Sequence, residues 1–174
     1  MNCFYVGTHR TGKSTKSVKV ILNTLPQKIW LIAANPNQKD ARTGMPIFPT
    51  QFQRTDASIL TNSRLKERQN SAILIDDAVT IRKEWQKIES IYATPRQNAT
   101  DIHLVAHDYS LINTKLAGYC NMAFCFRTAN NVPPYSSWGM KREMKKAADI
   151  IRQRGNIHSY YVLNILEGTI KVVL

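Results

Sequence analysis

"FYVGTHRTGKST", residues 4–15, joins the first apolar run of the chain to an amphipathic one. It holds Gly7, four intervening residues, then Gly12, Lys13 and Ser14. The spacing GxxxxGK[ST], following a strand and opening a helix, is that of a phosphate-binding loop. Its glycines let backbone N–H groups approach phosphate oxygens, and the helix N-terminus adds a partial positive charge. In such a loop Lys13 reaches the β- and γ-phosphates of ATP and the Ser14 hydroxyl ligates Mg²⁺. Gly7, Arg10, Thr11, Gly12, Lys13, Ser14 and Thr15 are the candidate nucleotide contacts. His9 and Arg10 are unusual in such a loop; a phosphate contact and a contact with a neighbouring subunit both suit them.

A magnesium nucleotide also needs an acid at the end of a buried strand. "AILIDDA" supplies Asp76 and Asp77 after four apolar residues. Asp76 is the expected magnesium partner, and Asp77 is placed to orient or deprotonate an attacking water. The competing reading of such a pair is a helix-capping turn.

Working outward, short apolar runs alternate with longer polar or amphipathic stretches. Strands are expected over 2–6, 28–34, 72–76, 102–107 and 122–126. Helices are expected over 13–25, with Val18, Ile21, Leu22 and Leu25 on one face and Pro26 as the stop, and over 81–93. Residues 35–71, with Pro36, Pro46 and Pro49, read as irregular with one short helix. The alternation predicts one domain over 1–174, a mainly parallel α/β sheet with helices on both faces. If the strand over 102–107 lies in space between the strands over 2–6 and 72–76, the fold is the additional-strand, RecA-like P-loop class, with strand order 5-1-4-3-2. His107, at its end, would then face the γ-phosphate as a polar sensor. A C-terminal hairpin over 160–174 completes the chain.

The 174 residues carry 24 Lys and Arg against 12 acids, a net charge of +12. A surplus this large on a small domain suits a polyanion, most simply DNA. Much of it lies in "MKREMKKAADIIRQR", 140–154, where Met144, Ala147, Ala148 and Ile151 share a helical face. Lys141, Arg142, Lys145, Lys146, Arg152 and Arg154 then point outward, as contacts to a nucleic-acid backbone that read no sequence. Tyr135, Trp138, Tyr160 and Tyr161 suit core or turn packing better than base stacking. Cys3, Cys120 and Cys125 lack zinc spacing and read as buried thiols. No apolar run approaches the roughly 20 residues of a membrane span, and no secretory leader is visible, so a cytoplasmic location is expected.

Residues 94–128, "TPRQNATDIHLVAHDYSLINTKLAGYCNMAFCFRT", together with the loop and the acid pair, resemble the FtsK/HerA superfamily of nucleic-acid-pumping ATPases. The look is closest to genome-packaging ATPases of membrane-containing phages and large DNA viruses. Those carry an Arg-His pair before the sensor strand and a Gln at its end, where this chain has Arg96-Gln97 and His107. The resemblance implies a homo-oligomeric ring moving DNA, located in host cytoplasm or virion and docked on a capsid vertex or other virion protein. It also implies an arginine finger donated in trans, with Arg96 the first candidate and Arg127 the second. Two rivals stand beside it. A small nucleotide or nucleoside kinase would need an arginine-rich lid, which is not evident. A nucleotide-gated phage assembly factor resembling filamentous-phage export proteins would usually continue into a membrane anchor. No Asn-Lys-x-Asp motif supports a GTPase.

Overall fold

Cys3–Val6 form strand β1, and all four residues are buried, as an apolar run without alternation predicts. The computed structural model describes residues 1–40, 43–93, 99–111, 114–128 and 138–174. By contact, the chain divides into one unit of Met1–Lys13 with Ala106–Leu174 and another of Ser14–Val105.

In the unit of residues 14–105, helix α1 (Lys13–Thr24) follows the loop, burying Val18 and Ile21. Leu25, expected on the same face, is instead 85% exposed, at φ 48° beyond the helix end. The turn into Pro26 needs that left-handed backbone and carries the side chain off the helical stripe. Strands β2 (Lys28–Ala33), β3 (Phe52–Arg54), β4 (Ser71–Asp76) and β5 (Asp101–Ala106) order as β3-β2-β4-β5, all parallel. Every residue of β4 is buried. Helix α2 (Leu65–Arg68) precedes β4, and helix α3 (Trp85–Ala93) follows a 3₁₀ stretch over Ala78–Glu84. The expected helix over 81–93 is therefore regular only in its second part. Arg68 is 1% exposed, and its guanidinium donates to the carbonyls of Ile59 and Thr61. Its own carbonyl accepts from the Thr100 hydroxyl at 2.9 Å. The residue fastens the irregular 57–64 segment to the strand ends.

In the other unit, β1 pairs parallel with β6 (Met122–Phe126), in register Val6↔Cys125. Strand β7 (Tyr160–Asn164) runs antiparallel to β6, and β8 (Thr169–Val173) antiparallel to β7. The Gly7 N–H donates to the carbonyl of Ala106, the last residue of β5, at 3.2 Å. Helix α4 (Thr114–Gly118) is short. Helix α5 (Lys141–Arg154) packs on the hairpin through Met144, Ala147 and Ile151. Trp138 and Tyr161 are core: the indole donates to the Ala117 carbonyl at 2.8 Å, and the Tyr161 and Tyr109 hydroxyls pair at 3.2 Å. Tyr135 lies outside the described residues.

In these labels the expected order 5-1-4-3-2 reads β6-β1-β5-β4-β2. Within the two units the pairings give its β2-β4-β5 and β1-β6 parts, and each unit carries strands outside that order: β3 beyond β2 in one, the hairpin β7-β8 beyond β6 in the other. Strand β3 escapes the reading because three residues inside a proline-rich stretch carry no period. Among the described residues no helix is long and apolar enough to cross a membrane.

His103 on β5 is fully buried, which pushes its imidazole down to about 3. The unfolded chain takes up this proton near pH 6.5 and the folded chain only near 3, so the stability is present above 6.5 and lost as pH falls. Urea unfolding should show stability falling between about pH 6.5 and 5 with a slope approaching ~1.4 kcal/mol per pH unit from this residue. His103→Leu should remove that contribution; an unchanged slope would mean that the ring titrates normally.

Candidate nucleotide site

The loop leaves β1 at Gly7, where space is closed. A Cβ there would lie 2.5 Å from Phe126 Cβ, 2.9 Å from Thr11 Oγ1 and 3.2 Å from the Arg127 carbonyl. Glycine is the residue that lets β1, the loop and the end of β6 meet this closely. The next N–H, of Thr8, donates to the Arg127 carbonyl at 2.7 Å. Arg10 and Gly12 both turn through positive φ, 61° and 90°, the alternation that points successive N–H groups to one side.

The loop closes over its own cation. Lys13 is 5% exposed, and its ammonium donates to the Thr8 carbonyl at 2.7 Å. The Thr11 hydroxyl donates to that same carbonyl at 2.9 Å. Lys13 Nζ also lies 3.4 Å from His107 Nδ1. An ammonium has only protons to give, so this contact needs Nδ1 unprotonated. The His107 ring sits 3.9 Å from that of His9, centroid to centroid. His107 thus stands immediately past β5, with its ring against the loop lysine.

In the unit of residues 14–105, the Ser14 hydroxyl donates to Asp76 Oδ1 at 2.7 Å. Both are hard oxygens, and Asp76, at the end of the buried β4, is 9% exposed. Mg²⁺ prefers such a set, completed by water and phosphate oxygens rather than by a protein cage. The residues fit the metal. The Thr15 hydroxyl donates to Asp40 Oδ2 at 3.2 Å.

Asp77 follows with φ 61° and ψ 69°, left-handed for a residue with a Cβ. It stands at the N-cap of the 3₁₀ stretch but its side chain makes no capping bond. Among the described residues its buried Oδ1 has no hydrogen-bond partner. The capping alternative is therefore not what this carboxylate does. An unpaired carboxylate oxygen on strained backbone is a feature that folding alone disfavours.

The remaining candidates divide. Arg96 lies outside the described residues. Arg127 is exposed, and its Nη2 donates to the carbonyl of Arg152 in the last turn of α5, at 2.9 Å. Lys141, Arg142, Lys145, Lys146, Arg152 and Arg154 are all exposed on α5; Arg152 also pairs with Asp149 at 3.5 Å. Two residues beside the loop escaped the sequence reading. Asp40 lies in the irregular 35–71 stretch. His158, in the turn between α5 and β7, holds its buried Nδ1 3.5 Å from the Cβ position of Gly12. Neither has a motif spacing that would mark it.

No family model and no curated protein matches this sequence. Among solved structures the chain is similar to the genome packaging NTPase B204 from Sulfolobus turreted icosahedral virus 2 in complex with sulfate. That likeness has TM-score 0.69 at 15% identity and covers 99% of this chain and 95% of that one. B204 has also been solved with AMP, AMPPCP and ATP-gammaS. The cytoplasmic domain of EssC matches at TM-score 0.62 and 15% identity, over 99% of this chain and 37% of that one. The N-terminal domain of zonular occludens toxin from Neisseria meningitidis matches at 0.53 and 12%, over 99% and 92%. The fold is shared with these solved structures.

Gly7→Ala should be badly tolerated, since Phe126 Cβ and backbone cannot swing away. Overpacking of about 1–3 kcal/mol would lower Tm by roughly 3–10 °C. Thermal unfolding of the variant checks this; an unchanged Tm would show that the loop shifts freely.

Proposed function

We propose that residues 1–174 act as one ATPase domain, with Mg²⁺ and ATP, that moves DNA as a genome-packaging motor of viral or phage type. The hydrogen bond from Ser14 to Asp76, at the foot of a phosphate loop and the end of a buried strand, carries the reading. Its support in the comparisons is the fold shared with a genome packaging NTPase.

Lys13 would neutralise charge on the β- and γ-phosphates, exchanging its loop carbonyl for phosphate oxygens. Ser14 and Asp76 would hold the metal, which when bound offsets charge on the same phosphates. Asp77, with an oxygen not committed elsewhere, would orient the attacking water and accept its proton. His107, already against Lys13, would report on the γ-phosphate. Arg96 is proposed as a finger donated by a neighbour in a homo-oligomeric ring, stabilising charge as it develops in the transition state. The outward face of α5 would track the DNA backbone, with the ring in host cytoplasm or docked on the virion.

Lys13→Ala should abolish ATP hydrolysis, and Asp77→Asn should retain ATP affinity while slowing turnover about 10²-fold or more. Phosphate release and calorimetric binding separate the two effects. Near-normal turnover in folded Lys13→Ala would end the proposal. Wild-type binding without hydrolysis, with or without DNA, would favour the assembly-factor reading.

Replacing Lys141, Arg142, Lys145 and Lys146 with Ala should weaken DNA binding but spare basal hydrolysis. Each lost phosphate contact should flatten the log–log salt dependence by about 0.9 on duplex DNA. Fluorescence anisotropy across a salt series measures the slope; an unchanged slope would make α5 a solvated basic face.

A further inference from the structure

A cavity of about 210 Å³ opens within the unit of residues 1–13 and 106–174. Thr8 forms one wall, Phe126 and Arg127 at the end of β6 another, and Ile151 and Arg152 of α5 a third, with Tyr109 inside. Thr8 belongs at once to this cavity and to the phosphate loop, since its carbonyl receives the Lys13 ammonium. Its N–H is tied to the Arg127 carbonyl, so loop and cavity wall are one hydrogen-bonded piece. A ligand whose anionic tail lies on the loop therefore has this cavity next to it.

The lining mixes aromatic and aliphatic side chains with threonine and arginine, the composition of a site for a flat, largely apolar group with polar edges. Its volume lies below the roughly 300–1,000 Å³ of pockets that enclose a whole drug-sized ligand. It suits one part of a molecule. Arg127 lines the cavity, and its Nη2 donates to the Arg152 carbonyl, which places a planar cation at the wall. A guanidinium held in this way is a platform for a π-system.

We infer that this cavity takes the nucleoside end, base and ribose, of the nucleotide whose phosphates lie on the loop, with Arg127 stacking on the base. Arg127 is thereby a binding residue in cis rather than a finger in trans. The inference rests on the nucleotide reading above and adds where the base goes. Arg127→Ala removes the platform; Ala148→Phe, on a half-buried residue of the lining, fills the space.

Calorimetry with ATP and with inorganic tripolyphosphate, which has no base, separates the cavity from the loop. Both variants should weaken ATP by roughly tenfold or more while leaving tripolyphosphate unchanged. Arg127→Lys, which keeps the charge but loses the plane, should not restore ATP affinity. Unchanged ATP affinity in Arg127→Ala would overturn the inference, as would an equal loss for both ligands. Lys13→Ala should lose both ligands. If the wild-type chain binds neither in a Lys13-dependent way, the nucleotide reading itself falls, and this inference falls with it.

Discussion

The ammonium of Lys13 is almost wholly buried beneath the loop that carries it. A buried charge of this kind survives only where dipoles are aimed at it, because bare desolvation costs far more than a domain's net stability. The Thr8 carbonyl supplies one such dipole, and holding it there constrains much else. Thr8 must be anchored, which its N–H does on Arg127. Gly7 must have no side chain, because the anchoring brings the end of β6 against it. His107 must present an unprotonated nitrogen, because the cation has only protons to offer. The same arrangement leaves the cation poised, since a phosphate offers more negative charge than a carbonyl.

The parts of this arrangement that were legible in the sequence are those written in local spacing. Gly7, Gly12, Lys13 and Ser14 fix the loop by their intervals, and Asp76 is marked by the apolar run before it. The buried strands read as continuous apolar stretches because both of their faces are covered. What escaped depends on distant partners. Arg68 is a charged residue in a short helix, and only the carbonyls of Ile59 and Thr61 explain its burial. Asp77 is visible as an acid, but its left-handed backbone and unpaired oxygen are properties of the folded turn. His158 lies far along the chain from Gly12 and meets it because α5 and β7 bring the turn back. Arg127 was legible as an arginine after a strand; the carbonyl that holds it was not.

Helix α5 shows how one segment serves two requirements. Its buried stripe of Met144, Ala147 and Ile151 packs on the hairpin, while its cations stay in water. Its last turn also offers an orphan carbonyl, a natural acceptor for a cation at a helix C-terminus, and Arg127 takes it. Changing the basic face therefore leaves the packing stripe intact.

The three cysteines are buried. Cys125 lies between β1 and β7, and burial pushes its thiol up to about 12, although the Tyr109 and Tyr161 hydroxyls pull the other way. Thiolate, rather than thiol, is the reactive species, so a buried and protonated sulfur is slow toward alkylating reagents. The native chain therefore comes close to a silent background for maleimide chemistry. A single cysteine introduced on the exposed side of α5 would take a fluorophore or spin label selectively without first removing the natural ones.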